Sequence, residues 1–578
     1  MEKKLQILAL IIITVLISYP VLFMDVAKGH DLDFHLMRIE GILSDASWRN
    51  IPVRMQSGWI DGYGYPVSIL YGDLFLYVGA VFRKLGLPIM PAYRLFAVCI
   101  NAATVFISYR SFKVFHKGWT PVISTALYTT AAYRLVDAYV RSAIGETLAI
   151  TFFPAVAALI YLILTYPEKT KRRRYIVLLG LAFSAVICSH TLTTSMMLVV
   201  MAFTVPAGLI VACKGKERLY RFLEIIEAGI ISILVTLFFT VPFMDFYLTA
   251  GIGFAMDKEM KIQGEGLHLS DFFAFFSNPF STEGGDIQKT PGIALMTVFA
   301  FAVIYLIICI VKRTYFSNHR RIVFMTVVSL ILFVMASHVF PWDFIEDHFP
   351  LGGILTAIEF PMRYLAFALV FLSILAGDLF DGFMSKLEEV RSAQTGLVRT
   401  CIVSAACLMC VFNVANLCVY NHFWEKKARF MKTEDLGRWD YYAMDFQLEN
   451  TTVDDVPLGC VYENMLSMEI LSRSSNDFLI ACVTGPEYGW IQLPVFAYKY
   501  YQACDLEDPS KIFEIHEGAN RTVGVLLPGD YSGVLHVYWK EPLFWRITEV
   551  ISFLSFLGCV LVVFFGEKWA LSKGSKTK

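Results

Sequence analysis

The run Pro66-Val67-Ser68-Ile69-Leu70-Tyr71-Gly72-Asp73-Leu74-Phe75-Leu76-Tyr77-Val78-Gly79-Ala80-Val81-Phe82-Arg83-Lys84-Leu85 is long and apolar enough to pass for a transmembrane helix. Whether it crosses decides the topology of everything after it. Other apolar runs of spanning length lie near 5–24, 92–110, 119–135, 147–166, 175–192, 194–213, 224–245, 292–311, 322–340, 361–380, 399–419 and 544–565. With those alone as spans, Lys3-Lys4, Arg110/Lys113/Lys117, Lys171-Arg172-Arg173-Arg174, Lys214/Lys216/Arg218/Arg221, Lys312-Arg313 with Arg320-Arg321, Lys386/Arg391/Arg399 and the Lys568 to Lys578 tail all fall on one side. That side is cytoplasmic by the positive-inside rule. Counting 66–85 as a span would invert every later basic loop. Its own Asp73, Gly72, Gly79 and Arg83-Lys84 also suit a segment resting on protein better than one exposed to lipid. We therefore read it as re-entrant or interfacial.

The fold expected is an all-α polytopic membrane protein of about twelve transmembrane helices, with both termini cytoplasmic and a non-crossing helix in the first outer loop. Residues 420–543 break the pattern. Short β-rich stretches (Phe478 to Val483, Trp490 to Val495, Thr522 to Leu527, Gly533 to Trp539) alternate there with Gly, Pro, Asn and Asp turn signals, which predicts a small extracellular β-rich domain. The expected organisation is thus 1–419 as the transmembrane domain carrying the outer loops, 420–543 as the β-rich domain, and 544–578 as the last helix with its cytoplasmic tail. Residues 5–24 lack a convincing signal-peptidase site and read as an uncleaved first helix.

Composition agrees with a bilayer as partner: 56% of the residues are apolar and only 17% charged, more apolar surface than a soluble protein could cover. A net charge of −1 provides no basic field for nucleic acid. The twelve cysteines form no C-x-x-C pair, and most fall inside apolar runs, so a metal cluster is not expected. Cys460, Cys482 and Cys504 leave room for at most one disulfide.

The charges that matter gather in the outer loops. In Gly29-His30-Asp31-Leu32-Asp33-Phe34-His35-Leu36-Met37-Arg38-Ile39-Glu40, a helix from about Leu32 gives an apolar stripe of Leu32, Leu36, Ile39 and Leu43, and a polar one of Asp31, His35 and Arg38. Asp31 and His35 at i and i+4 suit a base for a hydroxyl acceptor, with Asp33 and Glu40 as second choices. A divalent cation on Asp31, Asp33 or His35 is admissible, although one short cluster does not complete a coordination shell. In Tyr133 to Glu146, Arg134, Asp137 and Arg141 share a helical face, and two outward guanidinium groups suit a phosphate or pyrophosphate. An internal lattice of Arg134 with Asp137 and Arg141 with Glu146 is the structural alternative. In Ile358-Glu359-Phe360-Pro361-Met362-Arg363-Tyr364 an outer loop turns into a span at a proline, which places Arg363 just inside the bilayer with Glu359 as its near partner. His190, at an outer helix end, is the strongest of the lone histidines.

With these residues in view the chain resembles the GT-C superfamily of polytopic glycosyltransferases. Within it, Gly29-His30-Asp31 with Phe34-His35, Tyr63-Gly64-Tyr65-Pro66, Tyr133-Arg134 with Arg141 and Gly145-Glu146, and Phe360-Pro361 with Arg363 look like the YfhO-like bacterial membrane proteins. The resemblance implies a bacterial plasma-membrane enzyme that transfers a sugar, with inversion, from a polyprenyl-phosphate-linked donor to a cell-envelope glycan, polymer or lipid acceptor. No cofactor is required. The first-loop base falls on Asp31, tuned by His35, with Asp33 as the second candidate. Arg134, Arg141 and Arg363 would stabilise the leaving phosphate, supported by Arg38, Asp137, Glu146, Glu359 and His190. The competing reading is a transporter or binding protein for lipid-linked sugar without transferase activity. Against it, charge gathers at one face and no internal repeat is evident.

Overall fold

The computed structural model describes residues 2–48, 50–60, 62–249, 261–273, 290–390, 392–423, 460–474, 476–518 and 521–574. The chain opens with α1 (Glu2–Phe23). Its first loop carries α2 (Leu32–Asp45), α3 (Val67–Leu70) and α4 (Leu76–Lys84), and α5 (Ile89–Phe112), α6 (Thr120–Thr129), α7 (Ala132–Val136) and a π-helical turn at Asp137–Arg141 follow. Then come α8 (Ile144–Thr165), α9 (Lys169–Ile187), α10 (Thr191–Ala212), α11 (Glu217–Thr249), the short α12 (Leu269–Phe272), α13 (Ile293–Lys312) and α14 (His319–Ala336). Two small loop helices, α15 (Trp342–His348) and α16 (Gly352–Thr356), and a 3-10 turn at Pro361–Tyr364 lead into α17 (Leu365–Val390) and α18 (Ser392–Phe423). A last helix, α19 (Leu543–Gly574), packs on α9 and α11.

Among the described residues, ten helices are long and apolar enough to cross a membrane, and each coincides with an expected span. The other two expected runs are also helical, but differently built. The 119–135 run is broken after ten residues of α6, about 15 Å and half a hydrocarbon core. Arg134 explains the break, because its guanidinium donates to the Thr129 carbonyl at the end of α6 (3.1 Å). The 175–192 run begins earlier, at Lys169, and stops at Ile187. Its first turns carry Lys171 to Arg174, whose stems can run along the helix while their heads reach water.

The run from Pro66 to Leu85 forms no single helix. It is divided between α3 and α4 by an extended Tyr71-Gly72-Asp73 link. Gly72 is required there, since a Cβ would lie 2.4 Å from the Cys188 carbonyl oxygen. Gly79 likewise lets α4 lie against Ile39 of α2, and Arg83 pairs with Glu40 across the same contact. Leu74, Val78, Val81 and Leu85 form the exposed stripe of this segment.

The β-rich part comprises two antiparallel sheets. One has the order β1 (Val461–Glu463), β4 (Gly489–Phe496), β8 (Thr522–Leu527), β7 (Ile515–Glu517); the other β2 (Met465–Ser474), β3 (Asp477–Thr484), β9 (Ser532–Trp539), β5 (Tyr501–Asp505), β6 (Ile512–Phe513). The four stretches expected to be strands are β3, β4, β8 and β9. Alternation sets their faces: Phe478, Ile480 and Cys482 of β3 and Val523, Val525 and Leu527 of β8 point inward. Residues 424–459 of this region lie outside the described residues. All twelve cysteines are free thiols.

This β-layer rests on the first loop. Phe34, Trp59, Tyr63 and Tyr65 belong to the same apolar core as Phe496, Val495 and Ile491. The Tyr63 and Phe496 rings are 5.4 Å apart, and Phe496 N–H donates to the Tyr63 carbonyl (3.2 Å). Asp245 on α11 accepts from Lys499, Tyr500 and Trp545. The basic loops meet at the opposite end of the helical bundle, where Arg321 reaches the Phe115 carbonyl and Arg172 and Arg221 both reach that of Tyr166.

Candidate functional site

The first loop is tied to the α7–α8 junction through its backbone. His30 and Asp31 N–H donate to the Arg141 carbonyl (3.1 and 2.9 Å). The approach is so close that a Cβ on Gly29 (φ +63°) would overlap the Ser142 hydroxyl at 2.2 Å. Ser142 itself has φ +55°, turning the chain from the π-helical turn into α8. Asp31, half-buried at the start of α2, is thereby fixed beside Arg141.

Arg141 is buried, and one of its nitrogens donates to both Asp137 Oδ1 (2.8 Å) and Glu146 Oε2 (3.0 Å). Arg363 comes to the same carboxylate from the 3-10 turn before α17: its Nε is 3.5 Å from Glu146 Oε2 and its Nη2 donates to Glu359. Glu359 has φ +60°, a strained conformation for a side chain with a Cβ, which is held where the loop meets that ion pair. Glu146 also accepts from Tyr133 (2.7 Å), and Thr147 donates to Asp137 Oδ2 (2.9 Å). Two arginines, two glutamates and Asp137 thus form one mesh. Buried Arg363 keeps Nη1 without a hydrogen-bond acceptor among the described residues.

On the other side of the mesh, Arg38 of α2 is buried and donates to the Gly72 carbonyl (2.7 Å) and to His35 Nδ1 (3.3 Å). Arginine can only donate, so His35 Nδ1 is the acceptor and its proton resides on Nε2. Burial, with Arg38 and His190 adding to it, holds the His35 imidazole well below its ordinary range, so it is neutral at pH 7. Tyr71 lies against Arg38, 5.5 Å from guanidinium carbon to ring centre. Its phenol is pushed up to about 12, chiefly by burial, with Arg38 opposing and Glu359 and Asp31 adding. His190 caps α10 by accepting from Thr193 N–H at Nδ1 (3.3 Å), which places its proton on Nε2. Gly145 makes room for it, since a Cβ there would come within 3.1 Å of the His190 ring.

Asp31, His35, Arg38, Asp137, Arg141, Glu146, His190, Glu359 and Arg363 therefore converge from four separate segments. Two candidates do not join them. Arg134 is fully buried on the far side of α7, where it donates to Asn101 Oδ1 (2.8 Å), Thr104 Oγ1 (3.2 Å) and Thr129; no face of it is open to a phosphate. The shared helical face expected for Arg134 and Arg141 is lost because the chain switches to a π-helical turn at Asp137 and re-phases Arg141. Asp33 faces Lys28 (3.4 Å), and burial raises its carboxyl above the usual range against that lysine's opposing charge. Tyr71 and Tyr133 are pocket members that were not named as site residues, because tyrosines at membrane boundaries are common and an interface belt is their default role. Among the described residues, no group of three or more His, Cys, Asp or Glu side chains is arranged to hold a metal ion.

No protein-family model and no curated protein matches the chain. Among solved structures it is similar to the oligosaccharyltransferase of Archaeoglobus fulgidus in the apo form (12% identity, 73% of this chain and 56% of that one, TM-score 0.43). It is also similar to AglB of the same organism in complex with an inhibitory peptide and a dolichol-phosphate (12% identity, 74% and 57%, TM-score 0.43). A third similar structure is ArnT from Cupriavidus metallidurans bound to undecaprenyl phosphate (12% identity, 72% and 75%, TM-score 0.35). The chain spans a little over half the length of the two oligosaccharyltransferase chains.

Proposed function

We propose that this chain is a membrane glycosyltransferase that moves a sugar from a polyprenyl-phosphate-linked donor to a cell-envelope acceptor at the end of the bundle bearing the β-layer, on the outer face of a bacterial plasma membrane. The observation that carries this reading is the junction of Asp31 with the Arg141–Glu146–Arg363 mesh. Asp31, whose carboxylate could take a hydroxyl proton, is tied through its backbone to Arg141, and the adjoining mesh holds Arg363 with an N–H that has no acceptor among the described residues. An anionic leaving group on a lipid carrier needs both.

The step is one displacement. Asp31 accepts the acceptor's O–H proton, and the acceptor oxygen bonds to the anomeric carbon on the face opposite the phosphate. The bond from that carbon to the phosphate oxygen breaks, and its electron pair leaves with the polyprenyl phosphate, whose added charge meets Arg363 and Arg141. Neutral His35 and His190 each present an Nε2–H and can orient oxygens without adding charge. Tyr71, protonated at neutral pH, is a further donor beside Asp31.

Purified protein in proteoliposomes, supplied with radiolabelled lipid-linked sugar and a panel of envelope acceptors, tests the proposal. Turnover is expected, as is its loss in Asp31→Asn with insertion into the membrane unchanged. Protected binding of the labelled lipid without turnover would favour the carrier reading, and sugar incorporation retained in Asp31→Asn would remove Asp31 from the mechanism.

A further inference from the structure

An elongated cavity of about 750 Å3 lies between α8, α10, α14 and α17, away from the charged pocket. All four helices are among those long and apolar enough to span a membrane, so the cavity lies among segments that acyl chains would surround. The end nearer the pocket is apolar. Phe153 and Phe367, stacked at 4.4 Å, close it together with Met197. Thr204 is the polar side chain on the α10 wall, and its hydroxyl bonds to the Val200 carbonyl (2.8 Å).

The polar lining gathers at the other end, where the last turns of α8 meet the start of α14: Tyr161, Thr165 and the segment Ser317 to Arg321. Among the described residues, no carboxylate lines the cavity. Arg321 is neutralised by Asp378 and lies over the Phe115 and Tyr161 rings. Arg320 is exposed and has no ionic partner among the described residues. The cavity is therefore polarised, with an apolar trench at one end and an uncompensated cation at the other. Its volume lies within the roughly 300–1,000 Å3 usual for small-molecule sites.

We propose that this trench is a binding site for an anionic phospholipid, with an acyl chain between α10 and α14 and the headgroup at Arg320, at the bundle end opposite the charged pocket. A neutral lipid would fill the trench equally well but leave Arg320 without a partner. A soluble anion would find the cation but not the apolar walls. The site is independent of the transfer reaction, so either reading can fail alone.

The test is native mass spectrometry of delipidated full-length protein titrated with phosphatidylglycerol or with phosphatidylcholine of identical chains. Phosphatidylglycerol is expected to bind about fivefold more tightly, the preference one basic side chain gives near an anionic headgroup. Arg320→Gln and Arg320→Glu should each abolish that preference. Val211→Trp on the trench wall should weaken both lipids, and Thr204→Trp blocks the same wall should the first variant fold poorly. Equal binding of the two lipids by the unaltered protein, a preference that survives both Arg320 changes, or binding untouched by a folded trench variant overturns the proposal.

Discussion

Arg363 and Arg141 share Glu146, and the difference between them is what each has left to offer. Arg141 already serves two carboxylates through one nitrogen, whereas Arg363 holds Nη1 without an acceptor among the described residues. Lysine at 363 would keep the charge but lose the fork, so Arg363→Lys should lower kcat/KM for the lipid-linked donor by about 10²- to 10³-fold, the scale of one oxyanion-type donor. Glutamine should do at least as much harm. Initial rates over a donor series check this, and a loss below threefold in both variants would detach Arg363 from the leaving group. His35 makes a separate claim through stability. Its folded pKa is depressed, so above about 6.5 it is neutral in both folded and unfolded states and its contribution is intact. As pH falls below about 6.5 the unfolded chain takes up a proton that the folded one refuses, and stability falls by up to about 1.4 kcal/mol per pH unit. The thermal midpoint in detergent should therefore drop from pH 7 to pH 5, and less steeply in His35→Asn, whose amide oxygen can still accept from Arg38. Parallel slopes would sink the assignment. The charged residues of the pocket were legible in the sequence because a charge at the edge of an apolar run needs a reason. Tyr71 and Tyr133 were not, since their role depends on neighbours from other segments.

At the scale of elements, helical periodicity located the spans but not their interruptions. Nothing in the hydropathy of 119–135 marks the break after Thr129. It arises because Arg134 finds partners on α5 and at the end of α6, contacts between segments that a one-dimensional pattern cannot display. Arg134 is accordingly a structural residue. Arg134→Gln leaves Asn101, Thr104 and the Thr129 carbonyl short of donors, at about 1–3 kcal/mol for each group left unsatisfied. Its thermal midpoint should fall clearly while the transfer rate of the folded fraction stays within about twofold of the parent. A specific rate that collapses at unchanged stability would return Arg134 to the site. The 66–85 segment was legible because its parity orders every basic loop, and its division into α3 and α4 follows from Gly72 and its tie to Arg38. Cysteines introduced at Gly58 and Lys84, both exposed, should react with a membrane-impermeant maleimide from the same side. Labelling from opposite sides would make the segment a true span and invert the orientation of every later loop.

Over the whole molecule, the β-layer and the first loop behave as one body. The strands were legible from alternation, but their docking was not, because the aromatic residues that unite the two regions lie more than four hundred positions apart: Phe34, Trp59 and Tyr63 in the loop after the first helix, Phe496 and Tyr498 after most of the bundle. Phe34 is next to His35 on α2 and 5.4 Å from the Arg38 guanidinium, so the core that seats the β-layer also sets the position of the helix bearing Asp31. A cavity at Phe496 should therefore be felt at the pocket. Phe496→Ala is expected to cost about 3–5 kcal/mol of local stability, the usual range for emptying a buried aromatic site. Because the packing of α2 depends on the same cluster, transfer should fall together with protection of the first loop from limited proteolysis. Ile512→Ala, on a side chain 77% exposed at the sheet edge, is the matched control and should leave both readouts unchanged. If Phe496→Ala loosens the β-layer while the first loop stays protected and transfer persists, the two regions are mechanically separate and the shared core does not hold the pocket in place.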